Sequence, residues 1–128
     1  MSTVEEVILR DLGTKKVHFK YPGVEGELRG TLEDRCVLAA GNNIGGVPYW
    51  DVIDLIKFEG QNEPDFMRIG YFRKPLNLNR LVWGSQTTIT EPLSTWKALF
   101  VKAALEKDWF RSLLEQVVSE VNTERKQE

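Results

Sequence analysis

The sequence predicts an α+β domain in which an antiparallel meander of about five strands is followed by one or two C-terminal helices packed on the sheet. Three observations predict it. Up to residue 90 the apolar residues recur with period two; no stretch there is long enough for the helical crossover that parallel strands need; and from Glu91 the spacing changes to three and four. With 128 residues, 41% of them hydrophobic and 28% charged, the chain has the size and composition of a single domain with one core. The expected division is one domain over 1–128, mainly sheet over 1–90, helical over 91–122, with a frayed polar tail over 123–128.

The few residues before the first strand fit neither period. Residues 17–21 read as a short strand ended by Pro22 and Gly23. Residues 27–39 read as a long strand, with Leu28, Gly30, Leu32, Asp34, Cys36 and Leu38 on one face and Glu27, Arg29, Thr31, Glu33 and Arg35 on the other, the pattern of a sheet with one wet face. The glycines and asparagines of 41–48, closed by Pro48, mark a loop. In the next strand, 50–59, Trp50, Val52, Asp54, Ile56 and Phe58 share a face, and 60–65 turn the chain. Residues 66–74 and 80–90 form a hairpin across Pro75-Leu76-Asn77-Leu78-Asn79, the second arm favoured as strand by its threonines.

Leu93, Trp96, Phe100 and Ala103, then Phe110, Leu113, Leu114, Val117, Val118 and Val121, carry the helical rhythm. Thr90 or Ser94 is the expected cap, with Pro92 in the first turn. Lys107 falls on the apolar stripe just before Asp108, which predicts a break with Asp108 as a new N-cap in preference to one straight helix.

Composition excludes several classes of function. Cys36 and His18 are the only residues of their types, which rules out an intrachain disulfide and a histidine-based metal centre. A nucleophilic Cys–His pair requires Cys36 and His18 to meet, and a small buried strand cysteine is the ordinary reading. No metal site and no cofactor are expected. No apolar run spans a bilayer and the N-terminus lacks the order of a signal peptide, so the chain is expected to be cytoplasmic with no membrane partner. The stretch Gly41 to Gly46 superficially resembles a phosphate-binding loop but lacks the lysine-serine/threonine pair and the following helix. Asp54, Lys57 and Glu59 lack nuclease spacing, since alternation puts Asp54 and Lys57 on opposite faces.

Charge is segregated along the chain. Between Asp65 and Glu91 there is no acidic residue, yet Arg68, Arg73, Lys74 and Arg80 occur there with Tyr71, Phe72 and Trp83; setting these four cations apart from the net charge of −2 leaves −6 elsewhere. Cations interleaved with aromatics suit a surface that meets polyanions, with Phe72 stacking on a base. The ordinary alternative is a half-buried hairpin with Met67, Ile69 and Tyr71 toward the core, and the acidity of the whole chain argues against strong nonspecific affinity for nucleic acid.

Two further constellations compete with it. Asp34 and Asp54 fall on apolar strand faces with Arg68 as a partner, which gives either an ion cluster fixing strand register or a pocket whose carboxylates do acid-base work. Trp96, Phe100, Trp109 and Phe110 load the helices with aromatics; adjacent helical residues point about 100° apart, so Trp109 and Phe110 cannot both face the sheet, and a homodimer through the helices is expected. The residues carry no recognisable family motif. The preferred function is a non-catalytic binding or accessory module contacting nucleic acid or an acidic protein through Arg68, Tyr71, Phe72, Arg73, Lys74, Arg80 and Trp83. The alternatives are a small enzyme using Asp34 and Asp54, and a homodimeric assembly protein.

Overall fold

Five strands hydrogen-bond in their order along the chain, each antiparallel to the next: β1 (Lys15–Phe19), β2 (Leu28–Asn42), β3 (Pro48–Phe58), β4 (Asp65–Arg73) and β5 (Val82–Trp83). A short helix α1 (Val4–Ile8) precedes them, and α2 (Leu93–Glu106) and α3 (Asp108–Lys126) follow, which makes the fold α+β. The structure is a computed structural model and describes residues 3–19, 25–42, 45–63, 65–84 and 89–127. The chain forms two compact units, 1–90 and 91–128.

In unit 1–90 the ambiguous N-terminus is helical because Thr3 caps it, its Oγ1 accepting the Glu6 N–H at 3.1 Å. Asp11 and Gly13, with φ of 63° and 87°, then reverse the chain into β1. The first strand begins at Lys15, and its expected end at 20–23 lies outside the described residues. Two apolar clusters form on one face of the sheet. Val17, Leu32, Ile56 and Phe58 make the first, with Leu12, Leu28 and Phe66 against it. Ile8, Val37 and Val52 make the second, joined by Trp50, Phe72, Leu81 and Trp83, so α1 covers this face.

The single face expected for residues 27–39 is broken within β2. Leu32 pairs with Ile56 but Asp34 pairs with Leu55, so Glu33 is an extra residue in the ladder. A slip of one residue exchanges the faces beyond it. Arg35 and Val37 therefore continue the Leu32 face, while Asp34, Cys36 and Leu38 go to the other. β2 also runs on into the expected loop, pairing Gly41 with Tyr49 and Asn42 with Pro48 after a second register shift, with Gly41 at φ 83°; residues 43 and 44 lie outside the described residues. Nor is one face of the sheet wet throughout: Asp51, Val52, Ile53 and Asp54 are buried in succession on β3.

The second arm of the hairpin is shorter than its composition predicts. β5 pairs only Trp83 with Phe72 and Val82 with Arg73, and Gly84 N–H adds one bond to Tyr71 O at 2.9 Å. Residues 85–88, most of the threonine-rich stretch, lie outside the described residues, and 89–92 form no regular element.

In unit 91–128 the helical break falls at Lys107, which is extended at φ −125° and ψ 113° and serves as C-cap of α2 and N-cap of α3. Asp108 is thus the first helical residue rather than the cap, and it pairs with Arg111 one turn on. Neither helix has a side-chain cap, so Thr90 and Ser94 do not serve α2. Phe100 meets Phe110 edge-to-face at 5.4 Å, and Arg111 Nη1 donates to Ala104 O at 3.2 Å, which holds the two helices together. α3 continues to Lys126 through the expected tail; Arg125 and Lys126 sit where the helix dipole favours cations. No helix among the described residues is long and apolar enough to cross a membrane.

Candidate functional site

A dense polar constellation in unit 1–90 sits at the middle of β3. Asp54 stands opposite Arg35 of β2 on one side and Arg68 of β4 on the other. Its Oδ1 accepts Arg35 Nε–H at 2.6 Å, and its Oδ2 accepts Arg35 Nη2–H at 3.0 Å, Arg68 Nε–H at 3.1 Å and Arg68 Nη2–H at 2.9 Å. The side chains of Asp54 and Arg35 are 0% and 2% exposed and that of Arg68 is 19% exposed. A third Arg35 donor, Nη1, reaches Ile8 O at 2.9 Å, so α1 closes over the cluster with its last carbonyl. Two planar guanidiniums on one carboxylate, both stacked on rings, is the arrangement arginine geometry favours.

Aromatics complete the enclosure. The Arg35 guanidinium lies 5.2 Å from the Phe72 ring centre and 5.5 Å from that of Trp83, and Arg68 lies 4.8 Å from Trp83. Gly70 makes room for this: a Cβ there would overlap the Trp83 indole. The group joins β2, β3, β4, β5 and α1 around one carboxylate and two guanidiniums.

Of the three residues that alternation aligned, the structure brings together Asp54 and Arg68 and sends Asp34 to the opposite face, where its Oδ1 accepts the Arg35 backbone N–H at 2.9 Å. The displacing cause is the bulge at Glu33. Arg35 is the residue that sequence reasoning missed, because strict alternation assigns it to the wet face. The run Glu33-Asp34-Arg35, three charged residues in succession where alternation calls for an apolar one in the middle, was the available sign of a break in register.

The seven hairpin residues do not form one surface. Arg68, Phe72 and Trp83 belong to the Asp54 cluster. Tyr71 is half-buried on the other face, its ring 5.3 Å from that of Tyr49 and lying over Gly84. Arg73, Lys74 and Arg80 are exposed at the end of the hairpin. Between Lys74 and Arg80 the chain turns through a Leu78 N–H to Pro75 O bond of 3.1 Å, and Lys74 N–H is held by Pro48 O at 3.2 Å. Leu76 at the tip is 76% exposed, with Leu78 partly so. Leu76 and Leu78 border a surface depression of ≈ 420 Å³ with Pro48, Lys74, Pro75, Asn77 and Asn79.

His18 lies beside Glu27 at 3.6 Å and pairs with Arg29, far along β2 from the buried Cys36. Among the described residues no three His, Cys, Asp or Glu side chains gather as a metal-ion site. No family model matches the chain, and no curated protein or solved structure matches it.

Proposed function

We propose that the chain is a non-catalytic binding module whose hairpin end docks an acidic segment of another protein. The observation that carries this reading is the exposed Leu76 between the exposed cations Arg73, Lys74 and Arg80. An exposed apolar anchor flanked along the chain by cations suits a partner that alternates carboxylates with apolar side chains. Nucleic acid is the weaker form of the expectation, because each described aromatic residue of the hairpin is at least half-buried, which leaves little ring surface for stacking bases. The enzymatic alternative loses its carboxylate pair, since Asp34 and Asp54 lie on opposite faces and both Asp54 oxygens hold guanidinium donors.

The test is fluorescence anisotropy of labelled peptides of alternating glutamate and leucine, and of single- and double-stranded oligonucleotides, across a salt series. The reading expects the peptide to bind, more weakly as salt rises, and to be lost in Arg73→Glu/Lys74→Glu and weakened in Leu76→Asp. Oligonucleotide binding without peptide binding would replace the acidic protein by nucleic acid.

A second reading, self-association through the C-terminal helices, is supported by α3. Leu113, Val117, Val118 and Val121 are between 39% and 57% exposed on a helix in which every residue from Arg111 to Gln127 except Leu114 is exposed. An amphipathic helix gains most of its stability from covering its apolar face.

A further inference from the structure

We infer that α3 pairs with α3 of a second copy as a parallel two-stranded coil in which Glu120 of each helix faces Arg125 of the other. This rests on the self-association reading and adds its partner, direction and register. Four residues of α3, Phe110, Leu114, Val117 and Val121, follow the alternating four-three-four spacing of a heptad seam. Phe110 is already buried within a single copy, whereas Val117 and Val121 are exposed and Leu114 is half-covered. The uncovered seam therefore starts where the contact of α3 with Phe100 ends.

The flanks of the seam decide what covers it. With Leu114 and Val121 at a positions and Val117 at d, the flank following d carries Arg111, Val118 and Arg125, and the flank preceding a carries Leu113 and Glu120. In a parallel pair each g residue meets the e residue five positions on in the partner helix. That rule sets Glu120 against Arg125 and Leu113 against Val118, one charge pair and one apolar pair, each occurring twice by symmetry.

An antiparallel pair brings like flank to like flank. Aligned with Val117 on Val121, it would set Arg111 against Arg125 and Glu120 against its own copy, two repulsions. The charge pattern thus selects a second copy of this helix in one direction. The seam spans only about two heptads, so the pairing is a concentration-dependent equilibrium rather than an obligate assembly.

The test uses the full chain with Cys36→Ala as background, so that introduced thiols are the only ones. Sedimentation equilibrium up to about 1 mM measures association, and mild oxidation reports direction, since a disulfide needs Cα atoms within about 7 Å. Val121→Cys is expected to cross-link to itself. Glu120→Lys and Arg125→Glu are each expected to weaken the dimer several-fold, with the double exchange restoring it; a dimer indifferent to all three would overturn the register. Cross-linking only in a mixture of Val117→Cys and Val121→Cys would overturn the parallel direction while leaving self-association standing. A chain that stays monomeric throughout the concentration range would sink both. Val121→Asp is the folding control: residue 121 is exposed in one copy, so helical circular dichroism should hold while the dimer is lost.

Discussion

Asp54 accepts hydrogen bonds from two buried or half-buried arginines at once, so its removal is costly. Replacing it by Asn leaves Arg35 buried without a counter-charge, and breaking such a pair from one side costs about 3 to 5 kcal/mol. Asp54→Asn is therefore expected to lower the urea midpoint sharply, and an unshifted midpoint would contradict a structural role for the cluster. Arg68→Met should cost less, because Arg68 is partly solvated and Asp54 keeps Arg35 as its partner. Gly70→Ala drives a methyl into the Trp83 ring and is expected to destabilise by about 1 to 3 kcal/mol, read from the same transition. The sequence made the Asp54–Arg68 pairing legible, since strict alternation on β3 and β4 aligns them. It concealed Arg35, because one inserted residue at Glu33 reverses the side chains that follow, and the charged run Glu33-Asp34-Arg35 is a faint mark of it.

Elements with a clear period were the most readable. Strands β2, β3 and β4 fall within a few residues of the stretches that alternation marks, and the break between α2 and α3 falls one residue before the residue expected to cap it. Two elements escaped for physical reasons. At five residues α1 is too short to display a helical period, and it stands because Thr3 caps it and Ile8 is buried against the sheet. Thr3→Ala is expected to cost about 1 kcal/mol and to speed amide exchange in α1 ahead of the rest of the sheet unit. Exchange unchanged in α1 would mean that Ile8 alone holds it. The continuation of α3 to Lys126 was hidden by polar composition: residues 123–126 carry no apolar anchor, and the terminal cations favour helix through its dipole.

At the scale of the whole molecule, the charge segregation visible in the sequence survives folding only in part. Of the four cations between Asp65 and Glu91, Arg68 is held by Asp54, and Arg73, Lys74 and Arg80 are exposed, before and after Leu76 in the chain. Burial could not be read from the sequence, because the face on which Arg68, Phe72 and Trp83 lie is decided by register with Asp54 and by the glycine beneath the indole. A parallel α3 pair puts two such hairpin ends on one particle, so binding to a surface that carries several acidic segments should tighten where the dimer is populated and fall back in Val121→Asp. The most direct measurement is anisotropy of the glutamate–leucine peptide at low and at high salt, with the wild-type chain and with Arg73→Glu/Lys74→Glu. The account predicts salt-sensitive binding by the wild type and none by the variant, whereas equal binding by both, or none by either at low salt, would contradict it.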